Sequence, residues 1–245
     1  MWFFTALAVV FGALFLYRLA QRSRNKLRLI FNHGFLCFLF ALFFARIFFV
    51  IENHFLYFYE FSLNEFLGLF YVWDHGLNLF GAAVGLLLAV FFVARQYGED
   101  VGSWFDRVVP AMIFASVFVN FGAYFEGLHY GRESDLPWAV SYQSGMVHYT
   151  VPIHPVQIYA ALFALVLSLI LYKVLKIKFA TVSWNVTFLS LFVFSLGNFF
   201  FGFFRGDLVW EWILRSEQWF SLFLMVVVGV AWFLKQRRDG ILLEN

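Results

Sequence analysis

Seven apolar stretches, separated by polar loops, leave this 245-residue chain very few folds to adopt. A helix needs about 20 mostly apolar residues to cross a bilayer. The candidate spans are Trp2–Tyr17, Leu29–Ile51, Leu77–Ala94, Val108–Phe125, Val156–Tyr172, Ala180–Phe204 and Trp219–Leu234. Within lipid, backbone N–H and C=O groups must pair inside the segment, so such spans are helices. Composition agrees. Only 13% of residues are charged, against roughly 25% in a soluble domain. Phe alone supplies 38 residues, and mean hydropathy is +0.80. The expected fold is therefore an all-α integral membrane protein with about seven transmembrane helices. It forms a single polytopic membrane domain over residues 1–245, with a small external loop region at about 126–153. The apolar run Glu65–Trp73 is either an interfacial helix or part of a longer third span. Trp2–Tyr17 reads as the first span rather than a signal peptide, because its arginine cluster follows it instead of preceding it.

Charge placement orients the bundle. Alternate loops carry Arg18, Arg22, Arg24, Lys26, Arg28, Arg95, Arg107, Lys173, Lys176, Lys178, Lys235, Arg237 and Arg238 on one side. The other side has only Arg132, Arg205 and Arg215, with Arg46 inside a span. The positive-inside rule puts the richer side in the cytoplasm, so the N-terminus is expected outside and the C-terminus inside. The basic residues form short membrane-flanking clusters, which excludes nucleic-acid binding. The single Cys37 lies in an apolar run and allows no intrachain disulfide. The outer side gathers five of the six histidines, His54, His75, His129, His148 and His154. A site, if the wet outer loops hold one, opens toward the outer leaflet.

Several residues stand out as candidates for chemistry. Arg46, near the end of the second span, either snorkels outward or binds an anion. Asp74 and His75 precede the third span as caps, or His75 serves as a base with an ordinary pKa of about 6.5. Gly81 and Gly85 make a small-residue face for close helix packing. Asn120, late in the fourth span, needs hydrogen-bond partners. The glycine-punctuated run from Gly122 through Gly127 to Gly131-Arg132 suits irregular backbone at a water boundary. Pro155 fits the first turn of the fifth helix, and His154 and Gln157 are spaced to share a face. The free N–H groups of that turn favour a phosphate. Asn198, Gly202 and Arg205 are spaced for one face of the sixth span. Arg205 suits either the helix C-terminus or a lipid phosphate.

Taken in order, these segments resemble the bacterial prolipoprotein diacylglyceryl transferases. The pieces are Ala45-Arg46, Trp73-Asp74 with Gly76, Gly81 and Gly85, Gly122 with Gly127 and Gly131-Arg132, His154-Pro155-x-Gln157-x-Tyr159, Phe203-Phe204-Arg205-x-Asp207, and Gln218 with Gly229. The resemblance implies a seven-span protein of the bacterial cytoplasmic (inner) membrane. It implies transfer of a diacylglyceryl group from phosphatidylglycerol to the lipobox cysteine thiol of a prelipoprotein, with release of glycerol phosphate. The partners would be the phospholipid and the prelipoprotein signal-peptide region. No metal or other cofactor is expected, and the protein is expected to act as a monomer. The catalytic candidates are His154, His75 and Glu126, with His75 or His154 standing in for the family's missing base. The implied substrate-binding residues are Arg46, Arg132, Gln157, Tyr159, Arg205, Asn120 and Asn198.

The chain departs from the family pattern at several places. The family's arginine in the fourth-span glycine motif falls on Asn120 or Val117, according to the anchor chosen. Its histidine or tyrosine ahead of the small-residue run falls on Phe80. Its sixth-span arginine and glutamate fall on Asn198 and Gly202. Each lost charge pair is worth roughly 4 kcal/mol at 4 Å and an effective dielectric of 20, before desolvation. The alternative is thus a non-catalytic relative that binds lipid or lipoprotein. A small-solute transporter is a weaker alternative, because no paired repeat halves with interrupted helices are visible.

Overall fold

The computed structural model describes residues 2–21, 28–54, 76–142, 151–206 and 213–243. Seven helices there are long and apolar enough to cross a membrane. They are α1 (Trp2–Gln21), α2 (Gly34–Glu52), α3 (Leu79–Gln96), α4 (Val101–Glu126), α5 (Val156–Val174), α6 (Asn185–Gly202) and α7 (Ser216–Leu243). Among the described residues no strand forms beyond isolated bridges. The all-α, seven-span expectation therefore holds. The Glu65–Trp73 run lies outside the described residues.

The helix ends differ from the sequence expectation where a cap intervenes. The second span starts at Gly34, because a one-turn helix at Leu29–Asn32 breaks off at His33, which leaves the helical region. The fourth begins at Val101 rather than Val108. Asp100 accepts from the Ser103 N–H at 2.9 Å and so caps its first turn. The sixth begins at Asn185 rather than Ala180. A 3-10 turn at Lys178–Thr181 precedes it, and Trp184 takes a left-handed φ of 72°.

The chain divides into two compact units, Met1–Leu19 with Asp106–Asn245, and Ala20–Phe105. In the second unit α2 and α3 pack along glycines. A Cβ at Gly81 would strike the Phe44 carbonyl, and one at Gly85 the Phe40 carbonyl. The small-residue face foreseen in the sequence thus lets two backbones touch. Asn78 fixes the junction. Its Oδ1 accepts from Gly81 N at 3.0 Å, its N–H donates to Ala45 O at 3.0 Å, and its Nδ2 donates to Glu52 at 2.9 Å.

In the first unit α1 and α4 run antiparallel, held by a ladder of phenylalanines. Phe4 stacks on Phe125 at 5.2 Å, Phe11 on Phe118 at 4.8 Å, and Phe15 on Phe114 at 4.7 Å. Stacked aromatic pairs contribute about 0.5–1.5 kcal/mol each beyond area burial. Gly12 lies against Ala115, and Gly122 lies against Phe4, so the helices approach closely between the rings. At the far end of α6, Asp106 of α4 is 1% exposed. Its Oδ1 accepts from both the N–H and the hydroxyl of Thr187, each at 2.7 Å. Trp184, at the N-cap position, offers no side-chain cap, so α4 supplies it. At the near end Gln218 is fully buried. It donates to Phe199 O at 3.1 Å and accepts from Arg215 N at 3.1 Å, fastening the end of α6 to the start of α7.

Two stability predictions follow from these contacts. Overpacking costs about 1–3 kcal/mol, so Gly85→Leu should lower the melting temperature in detergent by several degrees. Gly240→Ala, with nothing within 4 Å of the new Cβ, should leave it unchanged. Asp106→Ala strands two donors at the start of α6, at about 1–3 kcal/mol each, and should depress the melting temperature more than Gly240→Ala.

Candidate active site

The end of the first unit where α4 and α6 finish and α5 and α7 begin is built from loop backbone. Leaving α4, the chain turns through Gly127 (φ 71°) and His129 (φ 55°). His129 is one of only a few non-glycine residues that accept this region, at some local cost. The next residues pair on both sides. Gly131 bridges Arg205, Arg132 N donates to Phe204 O at 2.9 Å, and Gly206 N donates to Tyr130 O at 2.9 Å. On the other edge His154 N donates to Arg132 O at 2.9 Å, and Ser134 N donates to Pro152 O at 3.0 Å. Ile153 exchanges two 3.0 Å bonds with Val140. Buried Tyr130 and Ile153, with Tyr142 against them, form a small apolar floor. A Cβ on Gly131 would run into the His154 carbonyl, so only glycine fits this crossing.

This ladder gathers three expected site residues, Arg132, His154 and Arg205, from three separate loops. The guanidinium of Arg205 forms an ion pair with Glu217 through Nη1, and its Nη2 lies 2.6 Å from His129 Nδ1. Arg215, 2% exposed, donates to the Arg205 carbonyl at 2.7 Å and braces the turn from below. The imidazole of His154 packs edge-on against Phe204 and Tyr159. Its Nδ1 is 3.3 Å from the Tyr159 hydroxyl, which also accepts from Trp138 Nε1 at 2.8 Å. Burial, and then the charge of Arg132, hold the imidazole below its ordinary pKa. His154 is therefore neutral at neutral pH.

The other expected residues fall differently. Glu126 is the last residue of α4 and half-buried. Gln157 does not share a face with His154, because α5 starts only at Val156. It is 2% exposed and ties α5 to Leu128 O through its Nε2, and its Oε1 has no partner among the described residues. Asn120 and Asn198 each donate to a carbonyl of their own helix, Ser116 O at 2.8 Å and Phe194 O at 2.9 Å. Neither of these bonds reaches the Arg205 network. In the second unit Arg46 does not snorkel. It is 7% exposed, donates to Gly76 O at 3.0 Å and lies 5.5 Å from the Phe49 ring centre. His75 lies outside the described residues. At Gly202, where the family pattern has a glutamate, a Cβ would collide with Gln218. The carboxylate beside Arg205 comes instead from Glu217 on α7.

Sequence reasoning gave no role to His129, Arg215, Glu217 or Trp138. Their partners come from other loops. Only the Gly127–Gly131 punctuation marked the turn that brings His129 to Arg205.

Comparison with known proteins supplies the remaining link. The model of the prolipoprotein diacylglyceryl transferase family matches residues 2–234. A phosphatidylglycerol–prolipoprotein diacylglyceryl transferase of Clostridium tetani is 28% identical over 161 residues, covering 65% of this chain and 64% of its own length. The protein of the same name from Polynucleobacter necessarius is 34% identical over 102 residues, 42% of this chain and 38% of that one. The one from Gloeobacter violaceus is 28% identical over 194 residues, 74% and 71% of the two chains. The first two matches thus span less than two thirds of those relatives. With seven apolar helices and a family match over nearly its whole length, the chain belongs to the prolipoprotein diacylglyceryl transferase family.

Proposed function

We propose that this chain transfers a diacylglyceryl group from phosphatidylglycerol to the lipobox cysteine thiol of a prelipoprotein. It would do so in the bacterial inner membrane, as a single membrane domain with its N-terminus outside and its site toward the outer leaflet. The observation that carries the proposal is the backbone ladder joining Arg132, His154 and Arg205, in a chain of this family. The chemistry requires a base for the thiol and cations for the phosphate. His154 supplies the base. With Nδ1–H directed at the Tyr159 oxygen, the Nε2 lone pair takes the thiol proton. The thiolate attacks the glyceryl carbon that bears the phosphate ester. A C–S bond forms, the C–O bond breaks, and glycerol phosphate leaves with the electron pair. Arg205 and Arg132 stabilise the charge that grows on the leaving oxygen.

One observation favours the non-catalytic alternative. Arg205 already holds Glu217, so a phosphate must share or displace that carboxylate. Proteoliposomes containing phosphatidylglycerol and a lipobox peptide distinguish the two. The proposal expects thioether-linked peptide and released glycerol phosphate in equal amounts. Lipid retention without either product would support a binding protein instead.

Two site predictions follow. General acid–base catalysis contributes roughly 10²–10⁴-fold, so His154→Ala should lower kcat within that range, read by glycerol phosphate release. The pH dependence has a definite sign. Burial and the charge of Arg132 both disfavour the imidazolium, so the acid limb of kcat should lie below the ordinary histidine value of about 6.5. Arg132→Gln removes that charge and should move the limb to higher pH. An unmoved limb would remove His154 as the base.

A further inference from the structure

Besides Glu217, the side chain of His129 touches the phosphate-facing cation directly. His129 sits on the exposed turn after α4, with its Nδ1 2.6 Å from Nη2 of Arg205. A guanidinium only donates and keeps its charge throughout the accessible pH range. The short contact therefore requires a lone pair on Nδ1. That fixes the tautomer of His129: neutral, with its proton on Nε2. An imidazolium has no lone pair to offer and would place a second positive charge against Arg205.

The two ends of the guanidinium are thus held by groups of different kinds. Nη1 meets the Glu217 carboxylate, which comes from the start of α7. Nη2 meets an imidazole whose acceptor disappears on protonation. The left-handed φ of 55° at His129 adds weight. A non-glycine residue held in that region is uncommon, and this one ends on the cation. Other charged groups at this end include Glu126 and Arg132 on its own segment, His154 across the ladder, and Arg215 beneath Arg205. Of the two histidines, it is His129 whose ring nitrogen lies against the Arg205 guanidinium.

We propose that His129 is a positioning residue for Arg205, which makes anion binding at Arg205 depend on an unprotonated imidazole. The inference rests on the reading of Arg205 as the phosphate ligand. Above the histidine range, His129 and Glu217 together aim the remaining guanidinium donors. Below it, the acceptor is lost and a repulsive charge replaces it, so head-group binding weakens. The effect falls on substrate affinity, whereas protonation of His154 falls on turnover.

The test uses the full-length protein in nanodiscs and phosphatidylglycerol as the probe, with affinity measured at pH 8 and pH 5.5. Wild-type affinity should be several-fold weaker at pH 5.5 than at pH 8. His129→Gln keeps an acceptor oxygen that does not titrate, and its affinity should stay flat. His129→Leu keeps bulk without an acceptor and should bind weakly at both values. A drop of wild-type size in His129→Gln would overturn the proposal. The side-chain nitrogen resonances of His129 give a second readout that needs no activity. They should report the Nε2–H tautomer, and Arg205→Ala should raise the pH at which they titrate. Resonances indifferent to Arg205→Ala would overturn the pairing itself. If that pairing is seen but Arg205→Ala binds phosphatidylglycerol as wild type does, the head-group role of Arg205 fails and the proposal falls with it.

Discussion

The crossing of Gly131 with Arg205 and His154 is the contact on which the proposed site depends. Membrane helices fix the direction of their ends only loosely, and side chains on separate loops drift apart unless backbone holds them. Here a few amide bonds tie the turn after α4 to the loops before α5 and after α6. Each bond contributes only about 0.5–1.5 kcal/mol. They are nevertheless paired edge to edge over a buried floor of Tyr130 and Ile153. A side chain at Gly131 would force the middle segment away from His154. Arg132 and Arg205 would then lose the backbone link between their two loops.

The helices beneath supply the rigidity this arrangement needs. The α1–α4 phenylalanine ladder sets the height at which α4 ends, and therefore where Gly127 starts the turn. Asp106 holds the far end of α6, and Gln218 holds the near end to α7. Arg205, just beyond α6, thus hangs from a helix fastened at both ends. Lipid gives little hydrophobic drive for helix association, so ring stacking, glycine contacts and buried hydrogen bonds carry it. The same logic governs α2 and α3 in the other unit, where Arg46 spends its charge on Gly76 O rather than on solvent.

The spans were legible because hydropathy over about 20 residues is a one-dimensional property. Gly81 and Gly85 were legible as packing for a related reason: their helical spacing alone puts them on one face. The helix ends were less so. The fourth span was read from Val108, which leaves Asp106 outside it, yet Asp106 lies within α4 and is buried as a cap for a distant helix. Arg46 was read as snorkelling or binding an anion, because its carbonyl partner, Gly76 O, comes from another segment and leaves no mark in the sequence around it. The phenylalanine ladder was invisible, since 38 similar residues give no cue to which pairs meet. The motif residues Arg132, His154 and Arg205 were picked out by family pattern. Their joining by main-chain bridges leaves no trace in side-chain identity, apart from the glycine at the crossing. His129 was missed because its partner Arg205 lies on a different loop.

The central claim is that the ladder assembles a transferase site. The most direct measurement is mass spectrometry of a lipobox peptide incubated with wild-type protein or Gly131→Val in phosphatidylglycerol vesicles, with helical content checked in both. The account predicts a diacylglyceryl adduct on the cysteine with wild type and none with the variant, although both remain helical. An unmodified peptide with wild type, or equal modification by the two proteins, would contradict it.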